Sequence, residues 1–341
     1  VSDLILHWLT GRGLLVPLLV YLLVGAAIFA IAYRLARFAD AIADATGMGR
    51  IWIGSVLLAA STSLPELTTD VNAARLGSID IGVGDLMGST LANMLVLALI
   101  DLVYARRRVL DNVSPDHALV GAIAIVLTAT AGVAIAAGGL GRVGHIGVET
   151  LVIVAVYLVG MRAVYGTGVP AATAPPDQLE LGESSRTLLW RGVRGFALAT
   201  LGLALTSPLL VLSASAIAAE SGVTETFIGT LLVGFTTSFP EIAATLAAVR
   251  IGALDLAVGN IFGSNAFNMC VLLGMDLAYS SGPVLAHASR DHLLSAQLAV
   301  LAIGLGILAT LAPRSLRLGP VRIESLLVVL TYAGAAWLLV R

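Results

Sequence analysis

The sequence predicts an all-α polytopic membrane protein of about ten transmembrane helices, arranged as two inverted five-helix repeats. Three observations carry that expectation. The 341 residues are 58% hydrophobic and 12% charged, with a mean hydropathy of +0.97, which is not the composition of a soluble protein. About ten stretches reach the roughly 20 apolar residues that a helix needs to cross the hydrocarbon. One polar sequence recurs in both halves at a constant spacing.

The apolar runs fall at 14-33, 51-73, 82-103, 118-138, 147-165, 193-217, 224-249, 256-279, 293-312 and 322-340. They are too continuous for the alternating ten-residue segments of a membrane β-barrel. The stretch 166-187, with Pro170, Pro175 and Pro176 followed by Asp177, Glu180 and Glu183, reads as a linker. It divides the chain into an N-terminal half, 1-165, and a C-terminal half, 188-341. Its brevity suits a prokaryotic inner-membrane protein without a regulatory insert.

All 19 basic residues are Arg. Ten spans put Arg34, Arg37, Arg50, Arg106, Arg107, Arg108, Arg162, Arg186, Arg191, Arg194, Arg250, Arg314, Arg317 and Arg322 on one side. Arg12, Arg75, Arg142, Arg290 and Arg341 fall on the other. The positive-inside rule makes the richer side cytoplasmic and places both termini outside. The lone Cys270 lies within a span and offers neither a disulfide nor a thiolate metal site.

Residues 54-94 align without gaps on 229-269 at an offset of 175, with 16 identities in 41 positions. Five spans per half is an odd number, so the second copy enters the membrane from the opposite face. Inverted repeats around a midplane site are a common basis of alternating access.

Each copy centres on a polar knot within an apolar span: Ser61-Thr62-Ser63-Leu64-Pro65-Glu66, and Thr236-Thr237-Ser238-Phe239-Pro240-Glu241. Proline has no N–H to offer the carbonyl four residues earlier, so Pro65 frees that of Ser61 and Pro240 that of Thr236. Irregular backbone at this depth is tolerated where it lines a cavity. A carboxylate at the bilayer centre costs several kcal/mol, about 2.5–3.5 on insertion scales, and a cation offsets it. Glu66 and Glu241, the freed carbonyls and the hydroxyls of Thr62 and Thr237 supply the hard oxygens that Ca²⁺ prefers. No His or Cys stands nearby to favour zinc or copper.

The next span of each half adds a small-residue element, 84-93 and 259-268, in which Ser89 and Asn93, and likewise Ser264 and Asn268, share a helix face. Asp85 occupies the position of Asn260 and reads either as an accessory ligand or as a partner orienting one. Asp70, matched by Thr245, reads as an entrance group or a solvated helix end. Asp80 and Asp255, with Arg75 and Arg250, recur at the turns and read as helix caps or interfacial pairs, and Asp101, Glu149, Asp276 and Glu324 as interfacial residues near span ends.

These paired segments resemble the two α-repeats of the cation/Ca²⁺ exchanger superfamily, in its sodium/calcium exchanger branch. The resemblance implies an antiporter exchanging Ca²⁺ for Na⁺, with no enzymatic activity, no cofactor and no nucleic-acid partner. It implies Glu66 and Glu241 as central ligands, with Thr62, Ser63, Thr237 and Ser238 lining the ion sites and Ser89, Asn93, Ser264 and Asn268 completing them. Asn268, where potassium-dependent relatives carry Asp, points to potassium independence. Two alternatives stand beside Na⁺ coupling. One keeps the architecture but couples H⁺, or carries Mg²⁺ or Mn²⁺. The other is an intramembrane aspartyl protease, suggested by the short Gly82-Val83-Gly84-Asp85 pattern.

Overall fold

The computed structural model describes residues 8-11, 13-104, 109-168, 183-221, 234-311, 317-318 and 321-339. The expected linker lies mainly outside the described residues, as does the start of the expected seventh span. The elements are α1 (Leu15–Thr46), α2 (Arg50–Thr62), α3 (Leu64–Arg75), α4 (Ile79–Val103), α5 (His117–Ala137) and α6 (Val148–Gly168) in the first half. The second half holds α7 (Glu183–Ser221), α8 (Gly234–Thr237), α9 (Phe239–Arg250), α10 (Leu254–Ala278), the short α11 (Val284–His287), α12 (His292–Leu311) and α13 (Ile323–Leu339).

Among the described residues, seven helices are long and apolar enough to cross a membrane: α1, α4, α5, α6, α7, α10 and α12. The pair α2 and α3 makes an eighth span, broken by 47°. Helix α13 is apolar but shorter. Two two-stranded hairpins complete the described structure, Arg142–Val143 with Ile146–Gly147 and Arg317–Leu318 with Val321–Arg322.

Burial orders these helices into layers. In their most apolar windows, α4 and α10 are 72% and 83% buried, whereas α1 and α7 are only 22% and 28% buried. The first pair therefore forms the centre. The second pair packs chiefly on itself at the periphery, with α9 and the π-helical part of α2 against α1. Each central helix is clasped by the other half: α4 lies against α12 and α13, and α10 against α5 and α6.

Small residues make the closest contact. Segment Ile53–Leu58 of α2 is π-helical and runs beside α10, where Gly259 and Gly263 stand four residues apart. A Cβ at Gly54 would come within 2.7 Å of the Leu256 carbonyl, and one at Gly263 would collide with the backbone of Ser55. Backbone meets backbone here, as the small-residue pattern requires.

The repeat is visible in the turns. The α3–α4 and α9–α10 connections place Gly77 (φ 78) and Gly252 (φ 83) in the left-handed region. In each, the next N–H reaches back: Ser78 to the carbonyl of Ala73, and Ala253 to that of Ala248. Just beyond, Asp80 accepts from the Ser289 N–H (2.7 Å) and lies 3.1 Å from His292 Nε2. Asp255 accepts from the Ser114 N–H (2.8 Å) and lies 3.0 Å from His117 Nε2. The two aspartates are caps, as expected, but each caps the helix start of the opposite half.

Of Asp101, Glu149, Asp276 and Glu324, expected near the membrane interface, the first three are buried within the protein. Asp276 accepts from the N–H groups of Gly147 (2.8 Å) and Val284 (2.6 Å) and from the Thr150 hydroxyl (2.6 Å). Asp101 accepts from the Leu110 N–H (3.3 Å) and the Ser325 hydroxyl (2.8 Å), and pairs with the buried Arg322. Arg322 also reaches Asp111 and the Ala309 carbonyl. Asp101 and Asp276 stand 175 apart, as do Thr150 and Ser325, so one joint is built twice. A carboxylate at a helix end satisfies N–H groups that the apolar surroundings leave without water.

Candidate cation site

The middle of the bundle is made by the two helix breaks and the two central helices. The helical ladder stops at Ser63 (φ −85°, ψ 15°) and at Ser238 (φ −74°, ψ 1°), and the following helices begin with Pro65 and Pro240 in their first turn. Proline is accepted there because its missing N–H would lack a helical partner anyway. Glu66 and Glu241 therefore sit in the first turns of α3 and α9, where the helix N-terminus favours negative charge. Both are fully buried.

The two knots meet across the pseudo-symmetry. The Ser63 hydroxyl donates to Glu241 Oε1 at 2.8 Å. On the other side the contact is relayed: the Ser238 hydroxyl donates to that of Ser89 (2.9 Å), which donates to Glu66 Oε1 (3.3 Å). Thr62 donates to Asn260 Oδ1 at 3.3 Å, and its counterpart Thr237 donates to Asp85 Oδ1 at 3.0 Å. Thr237 also lies 3.3 Å from the Ser89 hydroxyl, and Thr236 lies 3.5 Å from the Tyr21 hydroxyl. Ser61 is buried close by.

Of the thirteen residues singled out in the sequence, Ser63, Glu66, Asp85, Ser89, Thr237, Ser238 and Glu241 are thus joined in direct contacts. Asn93 donates its amide N–H to Asn265 Oδ1 (3.0 Å), and its own oxygen meets no donor. Ser264 and Asn268 are fully buried, and their side-chain polar atoms meet no partner.

Three residues outside that set belong to the arrangement. Asn260 donates to the Thr245 hydroxyl (3.0 Å) and towards the Glu241 carbonyl (3.4 Å). Asn265 faces Asn93. Asp70 is fully buried, which overturns its reading as a solvated helix end. The signal for Asn260 was its alignment with Asp85. For Asn265, opposite Thr90, the repeat gave none.

Buried polar atoms are nearly always hydrogen-bonded. Yet Glu66 Oε2, Glu241 Oε2, Asp85 Oδ2, Asn93 Oδ1, Asn268 Oδ1 and both oxygens of Asp70 are buried here without a donor. Oxygens left over in this number, several of them anionic, fit a cation as their missing partner. Among the described residues no three His, Cys, Asp or Glu side chains converge on one point. A cation held here takes hydroxyl, amide or backbone oxygens beside the carboxylates, the donor set of hard cations and not of zinc.

Comparison with known proteins places the chain in context. The model of the family described as "Sodium/calcium exchanger protein" matches twice, over residues 16-166 and 192-341. CaxA of Alkalimonas amylolytica is 29% identical over 317 residues, covering 88% of this chain and 91% of that one. The sodium/calcium exchanger MaX1 of Methanosarcina acetivorans is 38% identical over 88 residues, 24% of this chain and 25% of its own. A solved structure of the sodium-calcium exchanger NCX_Mj superposes with a TM-score of 0.70 at 20% identity, covering 94% of this chain and 98% of that one.

Proposed function

The chain belongs to the sodium/calcium exchanger protein family, a multi-pass integral membrane protein and a transporter rather than an enzyme, and on that premise we propose that it exchanges Ca²⁺ for Na⁺ by alternating access. The observation that carries the reading is the pairing of Glu66 and Glu241. Each is fully buried behind a proline break, each has one oxygen held by a serine and the other without a donor.

Ca²⁺ takes six to eight oxygens, and two carboxylates match its charge. The proposed ligands are Glu66 and Glu241, with Thr62, Ser63, Thr237 and Ser238 and the carbonyls of Ser61 and Thr236 around them. Ser89, Asn93, Ser264, Asn268 and Asp85 complete the set. The same oxygens, in smaller groups, suit Na⁺ ions. Overlapping sites make the two ions compete, and a pair of bare carboxylates is too costly to pass through an occluded state in apolar surroundings. Only a loaded site crosses, so one ion is exchanged for the other.

The direct Ser63–Glu241 contact and the relayed Ser238–Ser89–Glu66 contact leave the two repeats in different arrangements. That difference is what inverted repeats need for alternating access, since exchanging the two arrangements opens the site to the other face. The Arg distribution supports cytoplasmic placement of the face carrying Arg34, Arg37 and Arg50, in a prokaryotic inner membrane with both termini outside. The protease alternative gains nothing: the repeat copy of its pattern reads Ala257-Val258-Gly259-Asn260, with no acid in place of Asp85.

Glu66→Gln and Glu241→Gln test the site. Each is expected to abolish ⁴⁵Ca²⁺ exchange in proteoliposomes while the protein still elutes as a folded, monodisperse species. Wild-type exchange in either variant contradicts the proposal.

A further inference from the structure

We propose that Asp70 and Asp85 form an auxiliary divalent-cation site, present in the first repeat only and one helical turn away from Glu66 along α3. The inference takes its class of ion from the reading of the central site and shares Asp85 with it; Asp70 is what it adds. Asp70 follows Glu66 by four residues and so lies on the same face of α3, displaced toward Arg75. Its stem lies against α4, where a Cβ at Gly82 would stand 3.3 Å from the Asp70 Cβ, one helical turn before Asp85.

Asp70 is fully buried, and no donor reaches either of its oxygens. Asp85 is 2% exposed, with Oδ2 likewise without a donor and Oδ1 held by Thr237. Gly82 leaves room against the stem of Asp70, where the other repeat has Ala257.

The second repeat has a neutral pair at this position. There Thr245 and Asn260 replace the two aspartates, and they satisfy each other through a 3.0 Å hydrogen bond. In place of that neutral pair the first repeat carries two buried carboxyl groups. A divalent ion balances two carboxylates, and a monovalent ion leaves one buried charge without compensation. The Thr237 hydroxyl, shared between Asp85 and Ser89, connects this pair to the oxygens around Glu66.

Equilibrium dialysis of ⁴⁵Ca²⁺ against the purified full chain in detergent tests this. The informative variant is D70T/D85N, which writes the Thr245·Asn260 pair into the first repeat. The amide introduced by D85N would keep an oxygen for Thr237, as Asn260 does for Thr62. The expected result is one Ca²⁺ fewer per chain in D70T/D85N than in the wild type. One Ca²⁺ is expected to remain in E66Q/E241Q and to disappear when the four substitutions are combined.

Unchanged stoichiometry in D70T/D85N overturns the auxiliary site, and so does complete loss of binding in E66Q/E241Q. Wild-type exchange by E66Q/E241Q overturns the central-site reading instead, and leaves the auxiliary site to be judged by the residual ion. If D70T/D85N fails to fold, D70N alone makes the same comparison, with loss of the residual ion in E66Q/E241Q/D70N expected and its retention contradicting the site.

Discussion

Ser63 shows how much one side chain is asked to do. It sits at the break between α2 and α3, donates to Glu241 of the other half at 2.8 Å, and is fully buried. A hydrogen bond to a charged group contributes about 1.5–3 kcal/mol. Ser63→Ala is therefore expected to raise the Ca²⁺ concentration for half-maximal exchange by roughly tenfold or more. The concentration dependence of ⁴⁵Ca²⁺ uptake checks it, and an unchanged half-maximal concentration contradicts the assigned contact. At this scale the glutamates and the serines and threonines beside them were legible, because an acid after Pro within an apolar span admits few other readings. The partners of Asn93 were not. Helical spacing puts Ser89 and Asn93 on one face, but only the packing of α4 against α10 decides that Asn93 meets Asn265 and Ser89 meets Glu66.

The elements follow from the sequence where hydropathy speaks and escape it where backbone geometry does. The second span was expected to break near Pro65, and it bends at Ser63. Its π-helical segment was not foreseen, since nothing in the periodicity of 53-58 marks it. Close approach of α2 and α10 explains the glycines beside it. Gly263→Val is expected to destabilise the protein by ~1–3 kcal/mol or more, because the new side chain meets the backbone of Ser55 and not a flexible neighbour. Gly132→Ala is the control: its Cβ would meet only the Ala296 methyl at 3.6 Å. Thermal unfolding in detergent should show a lower midpoint for the first and an unchanged or slightly higher one for the second. Equal midpoints argue against the backbone contact.

Over the whole molecule, the repeat extends well beyond the 41 aligned positions. His117 and His292 are 175 apart, and so are Ser114 and Ser289 and Asp116 and Asp291, so a Ser-x-Asp-His sequence occurs twice. That pattern, which lies outside the 54-94 and 229-269 alignment, carries the docking of each half on the other half's turn aspartate. The burial of Asp101 and Asp276 was not legible, because a carboxylate near a span end reads as interfacial until its three-dimensional partners are known. These joints hold the halves together from both sides. Asp276→Ala removes one acceptor from three donors at once, and leaving a buried group unpaired costs about 1–3 kcal/mol. Unfolding in detergent is expected well below the wild-type midpoint, with Asp276→Asn intermediate; a wild-type midpoint for Asp276→Ala contradicts the joint.

The central claim is that Na⁺ drives Ca²⁺ across the membrane through the Glu66–Glu241 site. Uptake of ⁴⁵Ca²⁺ into proteoliposomes under separately imposed gradients measures it directly. An outward Na⁺ gradient at equal pH on both sides is expected to drive uptake that E66Q and E241Q abolish. Uptake driven by a pH gradient alone, and indifferent to Na⁺, contradicts it.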